Sequence, residues 1–164
     1  HYCGHSERSS DTCPVCGGLD ALSATEERVT CSCGWSLTMD EYGFFHEPSG
    51  RIRTAADWEE LQLASYRARF ERGEFFSEDG VTLYSIGDGF ALTELGCGTL
   101  TSSADGLELC GERFPFAELT APEILSGGRK LELSRGKENF MLQKEGACLN
   151  KYVELYKWAS GSED

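Results

Sequence analysis

The spacing of apolar positions changes along this chain, and each change predicts a different kind of element. In "GLDALSATEERVT" (residues 18–30) apolar residues flank a polar middle, which predicts a strand, a turn and a returning strand. "WSLTMDEYGFF" (35–45) comes next with strand-like apolar content, and "EPSG" (47–50) predicts a turn into "RIRT". Over 54–73 the period becomes helical. Thr54 predicts an N-cap, with Asp57 three residues on as a variant of the capping box, and Gly73 predicts the stop. At about 100° per residue this helix carries two apolar stripes. Trp58, Leu61, Ala64 and Ala68 form one, and Leu63, Tyr66 and Phe70 the other. A helix with two apolar faces usually lies between two bodies, so it is expected to join the segments on either side of it into one rigid unit.

From Glu74 the pattern turns to short strands with tight turns. Seven are predicted, at 81–86, 90–95, 99–103, 107–110, 113–116, 130–134 and 139–143. "GDG", "GCG", "ADG", "CGE", "SGG" and "RGK" supply the turns. The last element, "GACLNKYVELYKWAS", puts Leu149, Tyr152, Val153 and Tyr156 on one helical face, a stripe to be buried against the strands. The expected organisation is therefore residues 1–53, 54–73 as a linking helix, and 74–164.

Eight cysteines lie on this framework. Four form two close pairs, Cys13-Pro-Val-Cys16 and Cys31-Ser-Cys33, with fourteen residues between them and glycine after each. A tight turn after a first thiolate lets backbone N–H groups point at sulfur, and glycine allows the positive φ this needs. Two such knuckles at the ends of a hairpin bring Cys13, Cys16, Cys31 and Cys33 together as a closed, tetrahedral, structural zinc site. The redox use of C-x-x-C wants a βαβ context, where glycines and a hairpin stand here. A disulfide framework suits a secreted chain, and nothing in the sequence signals export. The second pair has one intervening residue where two are commoner, which leaves Cys3 or His5 open as a substitute ligand. A ribbon of about thirty-five residues buries too little to fold unaided, so the metal would supply its stability. Cys97, Cys110 and Cys148 stand alone and are expected to be buried as small hydrophobes.

Composition adds limits. The 19 glycines and 4 prolines fit many tight turns, and no apolar run is long enough to cross a bilayer. The start, "HYCGHSERSS", has neither an initiator methionine nor a signal-peptide core, and the chain is expected to be a cytoplasmic fragment of a longer protein. Net charge is −13, from 28 acids against 15 Lys and Arg, a poor basis for gripping nucleic acid or anionic lipid. The bases hardly cluster: Arg67, Arg69 and Arg72 share a helix with acids, and Arg28 is the only base between the knuckles.

Seven antiparallel strands closed by one C-terminal helix is the architecture of pleckstrin-homology-like (PH-like) barrels. "GTLTSSADGLELCGERFPFAEL" and "RKLELSRGKENFMLQ" resemble bacterial PH-like and GRAM-type sequences. The fold class expected is α+β, a zinc ribbon, a linking helix and a PH-like seven-stranded antiparallel barrel capped by a C-terminal helix. Across the front half, the cysteine ribbon, "LTMDEYGFF" and the threonine-led helix with "DWEELQ" resemble the C-terminal extension of certain bacterial 1-acylglycerol-3-phosphate acyltransferases. Cys13, Cys16, Cys31, Cys33, Asp40, Glu41, Tyr42, Gly43, Trp58 and Gln62 carry that resemblance. Such proteins hold their catalysis upstream, in a histidine followed after four residues by aspartate. Here His5 precedes Asp11 by one residue too many and His46 has no such partner.

The functional expectations rest on both lines. Three histidines, no G-x-S-x-G, and acids such as Glu26-Glu27 and Glu59-Glu60 at solvated positions predict no enzyme. The leading reading is a non-catalytic, zinc-binding accessory module of a phospholipid-synthesis acyltransferase. It would act by binding a protein, a regulator or the parent's own catalytic domain, with membrane attachment left to the parent. A free-standing interaction module that takes a peptide or strand is the second reading, and a nucleic-acid-linked zinc ribbon the third. Phosphoinositide binding needs several bases around the first barrel hairpin, and "VTLYSIGDGFALTEL" has none.

Overall fold

The structure is a computed structural model that describes residues 7–9 as backbone, and 12–18, 21–25, 27–145 and 148–162 in full. The chain is α+β and divides into two compact units, His1–Ala68 and Arg69–Asp164.

In the first unit, β1 (Glu7–Ser9), β2 (Leu22–Ala24), β3 (Arg28–Cys31), β4 (Ser36–Met39) and β5 (Phe45–His46) form one antiparallel sheet in chain order. Strands this short are held by their two-residue alternation. The register pairs Leu22 with Cys31, Ala24 with Val29, and Val29 with Leu37, so these side chains share a buried face with Trp35, Ile52 and Trp58. Trp35 and Trp58 stack with ring centroids 5.9 Å apart. The 35–45 stretch is two strands, because Asp40 turns the chain between them. Its Oδ1 accepts the N–H groups of Tyr42 and Phe44, each at 2.9 Å, and the Gly43 N–H donates to its carbonyl.

Helix α1 (Ala55–Glu71) has both of its expected ends. Thr54 Oγ1 accepts the Asp57 N–H at 3.2 Å and Asp57 Oδ2 accepts the Thr54 N–H at 2.8 Å, a reciprocal cap. At the far end the Gly73 N–H donates to Phe70 and the Glu74 N–H to Arg69, the paired bonds that close a helix on glycine. The expected stripes need correction. Trp58, Gln62 and Tyr66 are the buried residues, one turn apart, while Ala64 is exposed. A polar side chain displaces alanine from the buried face because it has backbone partners there.

The second unit holds β6 (Ser77–Ile86), β7 (Leu92–Ser102), β8 (Gly106–Leu109), β9 (Glu112–Pro115), β10 (Leu119–Leu125), β11 (Lys130–Arg135) and β12 (Glu138–Gln143). They form one antiparallel sheet in the order β10-β11-β12-β6-β7-β8-β9. Because first and last strands pair, the meander must curl, and β9 and β10 are left as edges of a half-barrel. Val81, Leu83, Leu100, Leu107, Leu109, Phe114, Leu131, Leu133 and Leu142 fill its inside. Arg135 of β11 reaches across to β9, donating to the Arg113 carbonyl at 2.6 Å and pairing with Glu112 at 3.3 Å, over the rings of Phe114 and Phe140. Helix α2 (Asn150–Ser160) lies against β10 and the single helical turn Phe116–Glu118, where Phe116 and Tyr156 meet edge to face at 5.9 Å.

Two strand expectations need correction. The strands expected at 90–95 and 99–103 fall largely within one strand, β7, and "GCG" is no turn. A Cβ on Gly96 or Gly98 would stand 3.2 or 3.4 Å from the Cys110 sulfur, so these glycines make room for a neighbour. Strand β10 has no counterpart among the expected strands, since Pro122 interrupts its pattern; it is an edge strand with a register shift between Thr120 and Glu123, where proline is tolerated. The stripe of α2 also differs: Leu155 belongs to it, Val153 is only half-buried, and Lys151 is buried because both it and Lys144 pair with Glu78 of β6, at 2.6 and 2.7 Å. Nor are Cys97, Cys110 and Cys148 buried; all three are exposed. Cys110 sits in the two-residue turn between β8 and β9, and Cys148 just before α2.

Candidate metal centre

Two backbone knuckles position the four paired cysteines. In the first, the Gly17 N–H donates to the Cys13 carbonyl at 2.9 Å and the Cys13 N–H to Gly18 at 3.1 Å. In the second, the Gly34 N–H donates to the Cys31 carbonyl at 2.9 Å and the Cys31 N–H to Trp35 at 2.8 Å. The second turn repeats the first with one residue fewer. Gly17 has φ +68° and Gly34 φ +92°, a region that a side chain strains, which is why glycine stands after each pair. β2 and β3 carry the second knuckle back to the first, with Leu22 opposite Cys31.

All four sulfurs lie within 4.8 Å of one another. Cys13 and Cys33 are 3.7 Å apart, as are Cys16 and Cys31. A disulfide requires about 2.05 Å. Four thiolates about 2.3 Å from one ion, at the corners of a tetrahedron, stand about 3.8 Å apart, so the cluster could hold a metal ion. The short Cys31-Ser-Cys33 spacing brings Cys33 into the cluster with its own sulfur. Cys3 and His5, the substitute ligands that this spacing left open, lie outside the described residues.

The protonation chemistry points the same way. Burial pushes the Cys13 thiol up to about 12, against the N–H groups of Cys16 and Val15 that favour its thiolate. The Cys33 N–H on the Cys31 sulfur, opposed by burial, brings that thiol down to about 7. At Cys33 the Trp35 N–H favours the thiolate, but the Cys31 sulfur and burial outweigh it and the thiol is raised. Four sulfurs this close cannot all ionise alone; a cation among them replaces their protons. Cys13 and Cys31 are buried, whereas Cys16 and Cys33 face solvent, which leaves a path for the ion.

A second layer holds the knuckles. The Gln62 amide grips Thr12, beside Cys13, at both backbone groups: Oε1 accepts the Thr12 N–H at 2.8 Å and Nε2 donates to its carbonyl at 2.9 Å. Trp35, two residues past Cys33, donates Nε1–H to Glu47 Oε1 at 2.9 Å. Burial alone would raise the Glu47 carboxyl, but Ser49, Trp35 and the Arg51 N–H outweigh it and hold it below its ordinary range. Sequence reading missed these supports, and with them the pairing of His46 Nε2 with Asp40 Oδ2 at 2.9 Å. The Asp40-x-x-Gly43 spacing is the one local signal that could have shown that the two would meet. The acids Glu59 and Glu60 are exposed, as expected of a solvated face. Among the described residues no helix is long and apolar enough to cross a membrane.

Compared with known protein families, with curated proteins and with solved structures, the chain finds no match.

Proposed function

We propose that the chain is a non-catalytic binding module in two parts, a zinc ribbon with a structural ion and a PH-like barrel that presents a surface to a protein. The tetrahedral fit of the four cysteine sulfurs carries the first half. Sulfur-only ligation selects a soft or borderline ion, and zinc is the commonest occupant of four-cysteine ribbons. With four protein ligands the ion keeps no open position, so it holds the ribbon together and activates no water. The curled seven-stranded meander with α2 laid against it supports the PH-like reading. Its β6–β7 hairpin tip, residues 87–91, carries no Lys or Arg, which favours a protein partner over a phosphoinositide.

The resemblance across the first half makes that partner the catalytic domain, or a regulator, of a bacterial 1-acylglycerol-3-phosphate acyltransferase. This part rests on the motifs alone, and the gene's complete reading frame tests it through an upstream histidine followed after four residues by aspartate. The metal reading is tested on the chain itself. Elemental analysis is expected to give one zinc per chain, with the four paired thiols protected from a thiol reagent until a chelator is added. Absence of zinc, or reaction of all eight thiols, the four paired ones included, in the untreated protein, would overturn it.

A further inference from the structure

A cavity of about 610 Å³ opens on the ribbon, lined by Ser36, Thr38, Phe44, Phe45, His46 and Arg53, with Glu47, Pro48 and Gly50 completing its wall. Its size falls in the roughly 300–1,000 Å³ range of small-ligand sites. The sheet register explains its composition. Arg28 pairs with Thr38, and Thr38 with His46, so one cross-strand row puts cationic and hydroxyl groups on the face opposite the buried one. Arg28 Nη2 reaches Ser36 Oγ at 3.5 Å, at the edge of the same cavity.

The acids of the cavity are engaged elsewhere. Both oxygens of Glu47 are occupied, by Trp35 Nε1–H and by Ser49 and Arg51. Asp40 Oδ1 holds two backbone N–H groups and Oδ2 holds His46, whose bond keeps the Asp40 carboxyl below its ordinary range. The bases, in contrast, keep donors to give. Arg53 is pinned by its Nε–H to the Gly50 carbonyl at 3.0 Å, and among the described residues its two Nη atoms have no partner. His46 lies on the same face, held by Nε2 against Asp40 Oδ2. The cavity thus sets the open Nη donors of Arg53 and the hydroxyls of Ser36 and Thr38 beside the exposed ring of Phe44, in a chain whose net charge is −13.

We infer that this cavity binds a tetrahedral oxyanion carried on an apolar body, such as a phosphoryl group on an aromatic ring. The Arg53 fork and the Ser36 and Thr38 hydroxyls meet the oxyanion oxygens, and Phe44 and Pro48 meet the body. The ligand is either a modified side chain of a partner protein or a free small molecule, since both present the same group.

The test is titration of the zinc-loaded chain with phenyl phosphate, followed by amide and ring resonances and by calorimetry. Saturable binding is expected to move the signals of Phe44, Phe45 and His46, and inorganic phosphate is expected to bind more weakly because it leaves the rings bare. Arg53→Gln removes charge-assisted bonds from an exposed side chain and is expected to weaken binding about tenfold or more. Arg72→Gln, at an exposed arginine paired with Glu74, is expected to change nothing. A short phosphotyrosine peptide that binds more tightly than phenyl phosphate assigns the ligand to a partner protein, and equal affinity assigns it to a small molecule. No saturable binding, equal affinity of the wild-type and Arg53→Gln chains, or equal affinity for inorganic phosphate would overturn the inference.

Discussion

At the scale of single residues, the buried polar groups of the ribbon decide more than its apolar ones. Gln62 replaces a missing strand partner: its amide offers Thr12 the donor and acceptor that a neighbouring backbone would have supplied. Removing it leaves two buried backbone groups unsatisfied, each costing about 1–3 kcal/mol. Gln62→Ala is therefore expected to destabilise the ribbon by about 2–6 kcal/mol. Chelator competition, with loss of metal at a lower chelator concentration than in the wild type, checks this. Glu47 acts similarly on Trp35 and so on the knuckle that carries Cys31 and Cys33. Neither role is visible in a hydrophobicity pattern, where Gln62 falls on neither apolar stripe of the helix. The partner of a polar side chain fifty residues away is a tertiary fact.

At the scale of elements, α2 is fixed to the half-barrel by an apolar face and by one buried charge cluster. Glu78 accepts Lys151 from α2 and Lys144 from the end of β12, so a single carboxylate joins three elements. Burial by itself would raise the Glu78 carboxyl, but Lys151 and Lys144 outweigh burial and hold it below its ordinary value. A carboxyl lowered in the folded state adds stability that is present above its unfolded pKa, about 4.3, and is lost as pH falls through the folded value. Barrel stability is thus expected to fall on acidification below about pH 4, and Glu78→Gln to flatten that dependence. At neutral pH the same substitution removes the carboxylate charge that Lys144 and the buried Lys151 share, at a cost of about 3–5 kcal/mol. Urea unfolding of both forms across pH separates the two effects. A wild-type profile parallel to that of Glu78→Gln would show that the triad adds no pH-linked stability. The elements themselves were largely legible. Both ends of α1 follow from Thr54, Asp57 and Gly73, because capping is a local hydrogen-bonding matter. "GCG" misled because a glycine that makes room for a neighbouring strand and a glycine that makes a turn are the same letter.

At the scale of the whole molecule, each unit has its own core. The ribbon gathers Cys13, Leu22, Ala24, Val29, Cys31, Trp35, Leu37, Ile52 and Trp58, with two of the four clustered sulfurs inside that group. The half-barrel buries leucine, phenylalanine and tyrosine side chains of seven strands and α2. A metal at the cysteine cluster is worth on the order of 10 kcal/mol to a ribbon of this size, against a net domain stability of about 5–15 kcal/mol. Cys16→Ser is accordingly expected to unfold residues 13–45 while residues 81–158 keep their packing. Methyl and ring resonances of Leu83, Phe114 and Tyr152 should persist as those of Trp35 and Val29 collapse. Simultaneous loss of both sets would show that the two units fold as one.

From the amino-acid order alone came whatever depends on neighbours a few residues apart. The paired cysteines with their glycines, the helix caps and most strands are of this kind, since knuckles, caps and turns close within short loops. The tertiary structure decided what depends on residues far apart in the chain. It joined β6 to β12 and so curled the sheet, placed Lys151 in the interior beside Glu78, and exposed three cysteines that composition would have buried. It also aligned Arg28, Thr38 and His46 on one face and brought Arg53 beside them. Side-chain chemistry is written into each residue, but which side chains share a surface is set by strand register and loop closure, and those are selected by the free energy of the whole fold.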